Sequence, residues 1–177
     1  MRTNRTTLAA LLSISLAVVP CAAAAQATDE APATPSHWTG TNTQGLNFTV
    51  PDVYVEFFDW GYRSPMGLTF TQEADDPRAA GEVKMVYYYD LALGSSMGRG
   101  TGLARLVNDG GAFQGPVHVV YYPDGSEFRM SLMEGRDGYE GLALVMTDVI
   151  SPSGEANTQG LIWEGQAPVP DADLLPE

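Results

Sequence analysis

Residues 113–134 read FQGPVHVVYYPDGSEFRMSLME, and this stretch decides the fold. Two alternating runs, 113–122 and 127–134, flank Pro123-Asp124-Gly125-Ser126. Proline presets φ for a turn and glycine accepts positive φ, so the joint predicts a β-hairpin. On the first run Phe113, Gly115, Val117, Val119 and Tyr121 share a face, with His118 on the other. A two-residue Asp124-Gly125 loop pairs Tyr121 with Phe128, Val119 with Met130 and Val117 with Leu132. A three-residue Pro-Asp-Gly loop opposes Val119 to Arg129 instead. One slip exchanges the faces of a strand. The first register is expected, because it keeps aliphatic beside aliphatic.

Outward from this hairpin the same β pattern continues. Residues 46–50, 53–58, 67–72, 82–91, 101–108, 139–150 and 158–164 read as further strands. The clearest alternation is 82–91, with Val83, Met85, Tyr87, Tyr89 and Leu91 on one face. Residues 59–66 read as a loop rich in aromatics, and 94–102 as a loop of glycine and serine. Eight or nine strands joined by short loops predict an all-β fold, an antiparallel eight- or nine-stranded barrel; a β-sandwich is the alternative. Closure favours the barrel because it removes exposed edges. Asn42-Thr43-Gln44-Gly45-Leu46 recurs as Asn157-Thr158-Gln159-Gly160-Leu161, leading into the first and last strands.

The first 25 residues carry Arg2 and Arg5, an apolar core at 8–19 and the small residues Ala22 to Ala25. They read as a signal peptide cleaved near Ala25 or Ala27, and so as an exported chain, secreted or periplasmic. Cys21, the one cysteine, would serve a lipoprotein, but Pro20 stands where a small residue is needed. Residues 26–37 read as a flexible leader, 38–166 as the β domain and 167–177 as an acidic, proline-rich tail. Net charge is −13, and −15 without Arg2 and Arg5. Such a surface repels nucleic-acid phosphate and anionic membrane. After cleavage no membrane partner is expected, and the sequence leaves the oligomeric state open.

Candidate chemistry is sparse. His37 and His118 are the only histidines, no Cys/His cluster exists, and no metal or cofactor is expected. Serines lack a Gly-x-Ser-x-Gly context. Gly98-Arg99-Gly100-Thr101-Gly102 lacks the Gly-Lys-Ser/Thr of a phosphate loop and reads as relief for a crowded strand start. Acids such as Glu127, Glu134 and Asp148 read as solvated surface.

The run Arg105-x-x-Asn108-x-x-Gly111-x-Phe113-x-Gly115, followed by Gly135 and Gly138-Tyr139-Glu140-Gly141-Leu142, resembles small exported bacterial β-proteins of unassigned activity. Its glycine-aromatic step is also similar to one in the allene oxide cyclase-like and dirigent-like barrels. That resemblance implies an eight-stranded barrel and carries no catalytic residue across. Asp137 stands where a threonine is more typical.

The aromatics point to binding. A small barrel can enclose one apolar ligand. The expected contacts are Trp60, Tyr62, Met66, Tyr87, Tyr89 and Tyr121, in a non-enzymatic protein that takes a small apolar or aromatic molecule. A barrel enzyme of cyclase or isomerase type, with Glu134, Arg105 and Tyr139 as its polar groups, is one alternative. A structural or interaction module is the other.

Overall fold

The computed structural model describes residues 35–166, apart from positions 44 and 52. The signal peptide, most of the leader and the tail read from the sequence lie outside the described residues. Among the described residues there is no helix, and ten strands form one sheet. They are β1 (Ser36–Asn42), β2 (Leu46–Phe48), β3 (Glu56–Phe58), β4 (Gly61–Ala74), β5 (Gly81–Ala92), β6 (Gly98–Asn108), β7 (Gly111–Tyr121), β8 (Glu127–Arg136), β9 (Leu142–Ile150) and β10 (Ala156–Glu164).

From β4 to β10 each strand pairs antiparallel with the next. Strand β1 then pairs with both β10 and β4, closing a ring of eight strands. β2 and β3 continue along the outer edge of β4. Paired residues followed around the ring lead from Gln72 through Asn42, Ile150, Tyr121 and Leu91 to Tyr62, ten residues back along β4. A stagger of that size tilts the strands and fixes the width of the interior.

Several boundaries differ from the sequence reading. β1 begins at Ser36, because Trp38 turns inward and is fully buried. Its indole lies where a side chain at Gly160 would stand, with that Cβ position 2.7 Å from the ring. The expected aromatic loop is shorter, since Gly61 to Met66 already belong to β4. Likewise Gly98 to Gly102 are strand, not loop.

The largest correction is the central hairpin. Tyr122 N donates to Ser126 O at 2.9 Å and Gly125 N to Tyr122 O at 3.0 Å. These bonds close Pro123-Asp124-Gly125 as a three-residue loop, with Gly125 left-handed at φ 87°. Val119 therefore faces Arg129, and Tyr121 faces Glu127. Phe128, Met130 and Leu132 turn outward, while Arg129, Ser131 and Met133 are buried.

The interior is filled by Trp38, Phe70, Met85, Leu106, Phe113, Met133, Leu144, Met146 and Ile162, among others. Each fully buried large apolar chain contributes roughly 2 kcal/mol. Beyond this packing, a group of tyrosines gathers at one end of the ring.

Candidate functional site

Three strands bring tyrosines to the end of the ring that carries the β5–β6 and β7–β8 connections. β4 supplies Tyr62 and Met66, β5 supplies Tyr87 and Tyr89, and β7 supplies Tyr121. Alternation along each strand aims these side chains inward. Room for them comes from β6, which runs between β5 and β7 with Gly98, Gly100 and Gly102 opposite inward-facing residues. A Cβ on Gly100 would stand 2.7 Å from Cδ2 of Tyr87, and one on Gly98 would enter the Tyr89 ring. The glycine run thus makes space for rings from the neighbouring strand.

The rings meet edge to face. Tyr62 and Tyr89 lie 6.4 Å apart between centroids, and Tyr89 and Tyr121 4.7 Å. Tyr87 and Tyr121 join their hydroxyls in a hydrogen bond. Tyr87 is buried, whereas Tyr62, Tyr89 and Tyr121 are half-buried. Phe57 extends the group outward, 6.3 Å from Tyr62. Burial holds the phenols of Tyr87, Tyr89 and Tyr121 above their ordinary range, so all three stay protonated donors.

Charged groups lie beneath the tyrosines. Glu127 Oε2 accepts from Arg129 Nε at 3.0 Å and from Nη2 at 2.6 Å. The guanidinium sits 5.8 Å from the centroid of the Phe70 ring. Burial opposes the charge on Arg129, but Glu127, Tyr87 and Asp148 outweigh it and the pKa rises. Asp148 stands opposite Arg129 on β9 and is fully buried. Its Oδ1 accepts from Asn42 Nδ2 at 3.0 Å, while Oδ2 has no hydrogen-bond partner among the described residues. Burial pushes the Asp148 carboxyl up; Thr158, Arg129 and Asn42 pull it back without cancelling the effect.

Of the six expected contact residues, the structure gathers Tyr62, Tyr87, Tyr89 and Tyr121 at one end. Met66 is half-buried against the adjoining core. Trp60 stands apart, stacked on Phe58 at 5.0 Å on the outer side. Glu134 and Arg105 do not share a site with Tyr139: both are exposed and bonded to Arg136 and Asp137 respectively. Tyr139 stacks on Phe113 at 4.8 Å and donates to Asn108 Oδ1. The reading of Asp148 as solvated surface is overturned by its burial. Arg129 and Ser131 were missed with the hairpin register. The opposite charges of Glu127 and Arg129, two apart and so on one strand face, were the signal available.

Among the described residues no group of three or more His, Cys, Asp or Glu side chains comes together to hold a metal. No family model matches the chain, and no curated protein and no solved structure matches it.

Proposed function

We propose that the chain is an exported, non-enzymatic β-barrel protein that binds a small apolar or aromatic molecule at its tyrosine-lined end. One observation carries this reading: Tyr62, Tyr89 and Tyr121 form a half-buried edge-to-face group above a filled interior. Aromatic rings offer large apolar area at small entropic cost, and their hydroxyls add direction to the contact. The ligand rests on the rings rather than deep in the ring of strands, because Phe70, Met85 and Val119 fill the space below. The pattern of residues 1–25 supports export, which the mass of the protein recovered from outside the cytoplasm would check.

The test is a titration of ring-labelled tyrosine protein with a broad panel of hydrophobic and aromatic compounds, read by NMR. Resonances of Tyr62, Tyr89 and Tyr121 should move together. Tyr89→Ala should weaken binding about tenfold, the effect of roughly 1.4 kcal/mol. Tyrosine spectra indifferent to the whole panel would end this reading.

A second reading, an interaction module, is favoured by the segment before β4. Leu46, Tyr54 and Phe57 are 69%, 80% and 81% exposed. Apolar groups held so far into solvent are typical of contact surfaces. A stable oligomer that dissociates on Phe57→Ser would support it.

A further inference from the structure

We infer a second binding site on the outer wall, for a small organic monocarboxylate with an apolar body. It goes beyond the tyrosine end and stands independently of it. Six of the described Lys and Arg side chains, Arg63, Arg78, Lys84, Arg105, Arg129 and Arg136, form salt bridges with carboxylates. Arg99 alone has no such partner among the described residues. The reason is local. Asp90 on β5 lies opposite both Arg63 on β4 and Arg99 on β6. Arg63 takes both of its oxygens, Nε to Oδ1 at 2.7 Å and Nη2 to Oδ2 at 3.0 Å. Arg63 therefore occupies the one carboxylate that stands opposite Arg99 on the outer face.

Arg99 lines a hollow of about 380 Å³ together with Trp60, Asp90, Met97 and Val120. This size is within the range of small-ligand pockets. The walls are fixed from behind. Trp60 is stacked on Phe58, and its carbonyl accepts from Leu93 N at 2.8 Å. Ser95 Oγ accepts from Met97 N at 3.0 Å and donates to Met97 O at 3.1 Å. An indole, a thioether and a valine give an apolar wall beside a guanidinium fork. That fork matches a carboxylate with two parallel hydrogen bonds. Asp90 beside it disfavours a dianion, so a monocarboxylate is chosen over phosphate.

The probes are phenylacetate, its neutral amide and inorganic phosphate, added to the full chain and followed by Trp emission and calorimetry. Phenylacetate should bind and alter the emission, the amide should bind at least about tenfold more weakly, and phosphate should not compete. Arg99→Gln should lower phenylacetate affinity about tenfold or more, with Arg99→Lys intermediate. Arg99 is exposed, so the far-ultraviolet spectrum of the variant should match the parent. Dependence of the emission change on Arg99 places the binding on the outer wall, because Arg99 is exposed on the face of β6 opposite to its inward-facing glycines. Equal binding of acid and amide, equal binding by Arg99→Gln, or no binding of phenylacetate at millimolar concentration would overturn the site.

Discussion

Val119 stands directly opposite Arg129 across the β7–β8 hairpin, so the guanidinium enters the ring of strands instead of the solvent. Its partner Glu127 follows it inward, because residues two apart on a strand share a face. The side chains keep only 11% and 20% of their exposure, so the pair is desolvated and mutually dependent.

Arg129→Met should therefore strand Glu127 beneath Tyr121 and cost roughly 3–5 kcal/mol of stability, the usual effect of breaking a buried pair. Adding Glu127→Gln should recover part of the loss. Urea unfolding of the single and double variants measures both. A single variant as stable as the parent would mean that the pair is solvated.

Asp148 makes a pH-dependent contribution whose sign follows from burial. Its folded pKa is raised, so the folded state holds a proton that the unfolded chain releases earlier. This contribution is complete below the unfolded aspartate pKa and is lost as pH rises through the folded value. Asp148→Asn should raise the Tm at neutral pH and change it little in acid. A lower Tm at neutral pH would show that the charge of Asp148 is needed by Arg129.

Gly100→Val tests the space under the tyrosines. The new side chain would meet Tyr87 at once, since Cβ alone comes to 2.7 Å from its ring. Overpacking of this kind costs about 1–3 kcal/mol. Thermal unfolding and the near-ultraviolet tyrosine signal should both change; an unaltered signal would mean that the rings have room to spare.

The phenol pair gives a spectroscopic prediction. Burial raises both Tyr87 and Tyr121, so neither should ionise before the protein unfolds in alkali. Absorbance at the tyrosinate band should show these two groups appearing with the unfolding transition. Tyr121→Phe should remove the pair at a cost of about 1 kcal/mol.

Much of this architecture was legible in alternation. The inward faces of β5 and β7 follow from Val83, Met85, Tyr87 and from Phe113, Val117, Val119, all of which are buried. Their other faces are mixed, with Glu82, Lys84 and Asp90 on β5 and Gln114 and His118 on β7. β8 was misread because both of its faces carry hydrophobic residues, Phe128, Met130 and Leu132 outside and Met133 inside. Pro123-Asp124-Gly125 fits either loop length, and the choice rests on Asp124, which stays out of the left-handed region that a two-residue Asp-Gly loop demands.

The site was legible in part for the same reason. Tyr87 and Tyr89 stand out in a strand with clear faces, and Tyr121 follows from its neighbour Val119. Trp38 was placed at a border because SHWTGTN shows little hydrophobic rhythm. Its partners come from the far end of the chain, with Trp38 opposite Gly160. Arg99 was hidden within a run of glycines, and its lack of a carboxylate depends on how three strands align.

Pairing of the first strand with the last has a further effect. Ser36 lies opposite Ile162, and Pro35 and Trp163 line one apolar hollow of about 470 Å³ on the outer wall. Whatever precedes Pro35 and whatever follows Gln166 are thus held by adjacent strands, at the end away from the tyrosines. A label, a fusion or a surface linkage placed on either flank would present the same face to its surroundings. Both flanks therefore leave from the end of the ring opposite Tyr62, Tyr89 and Tyr121.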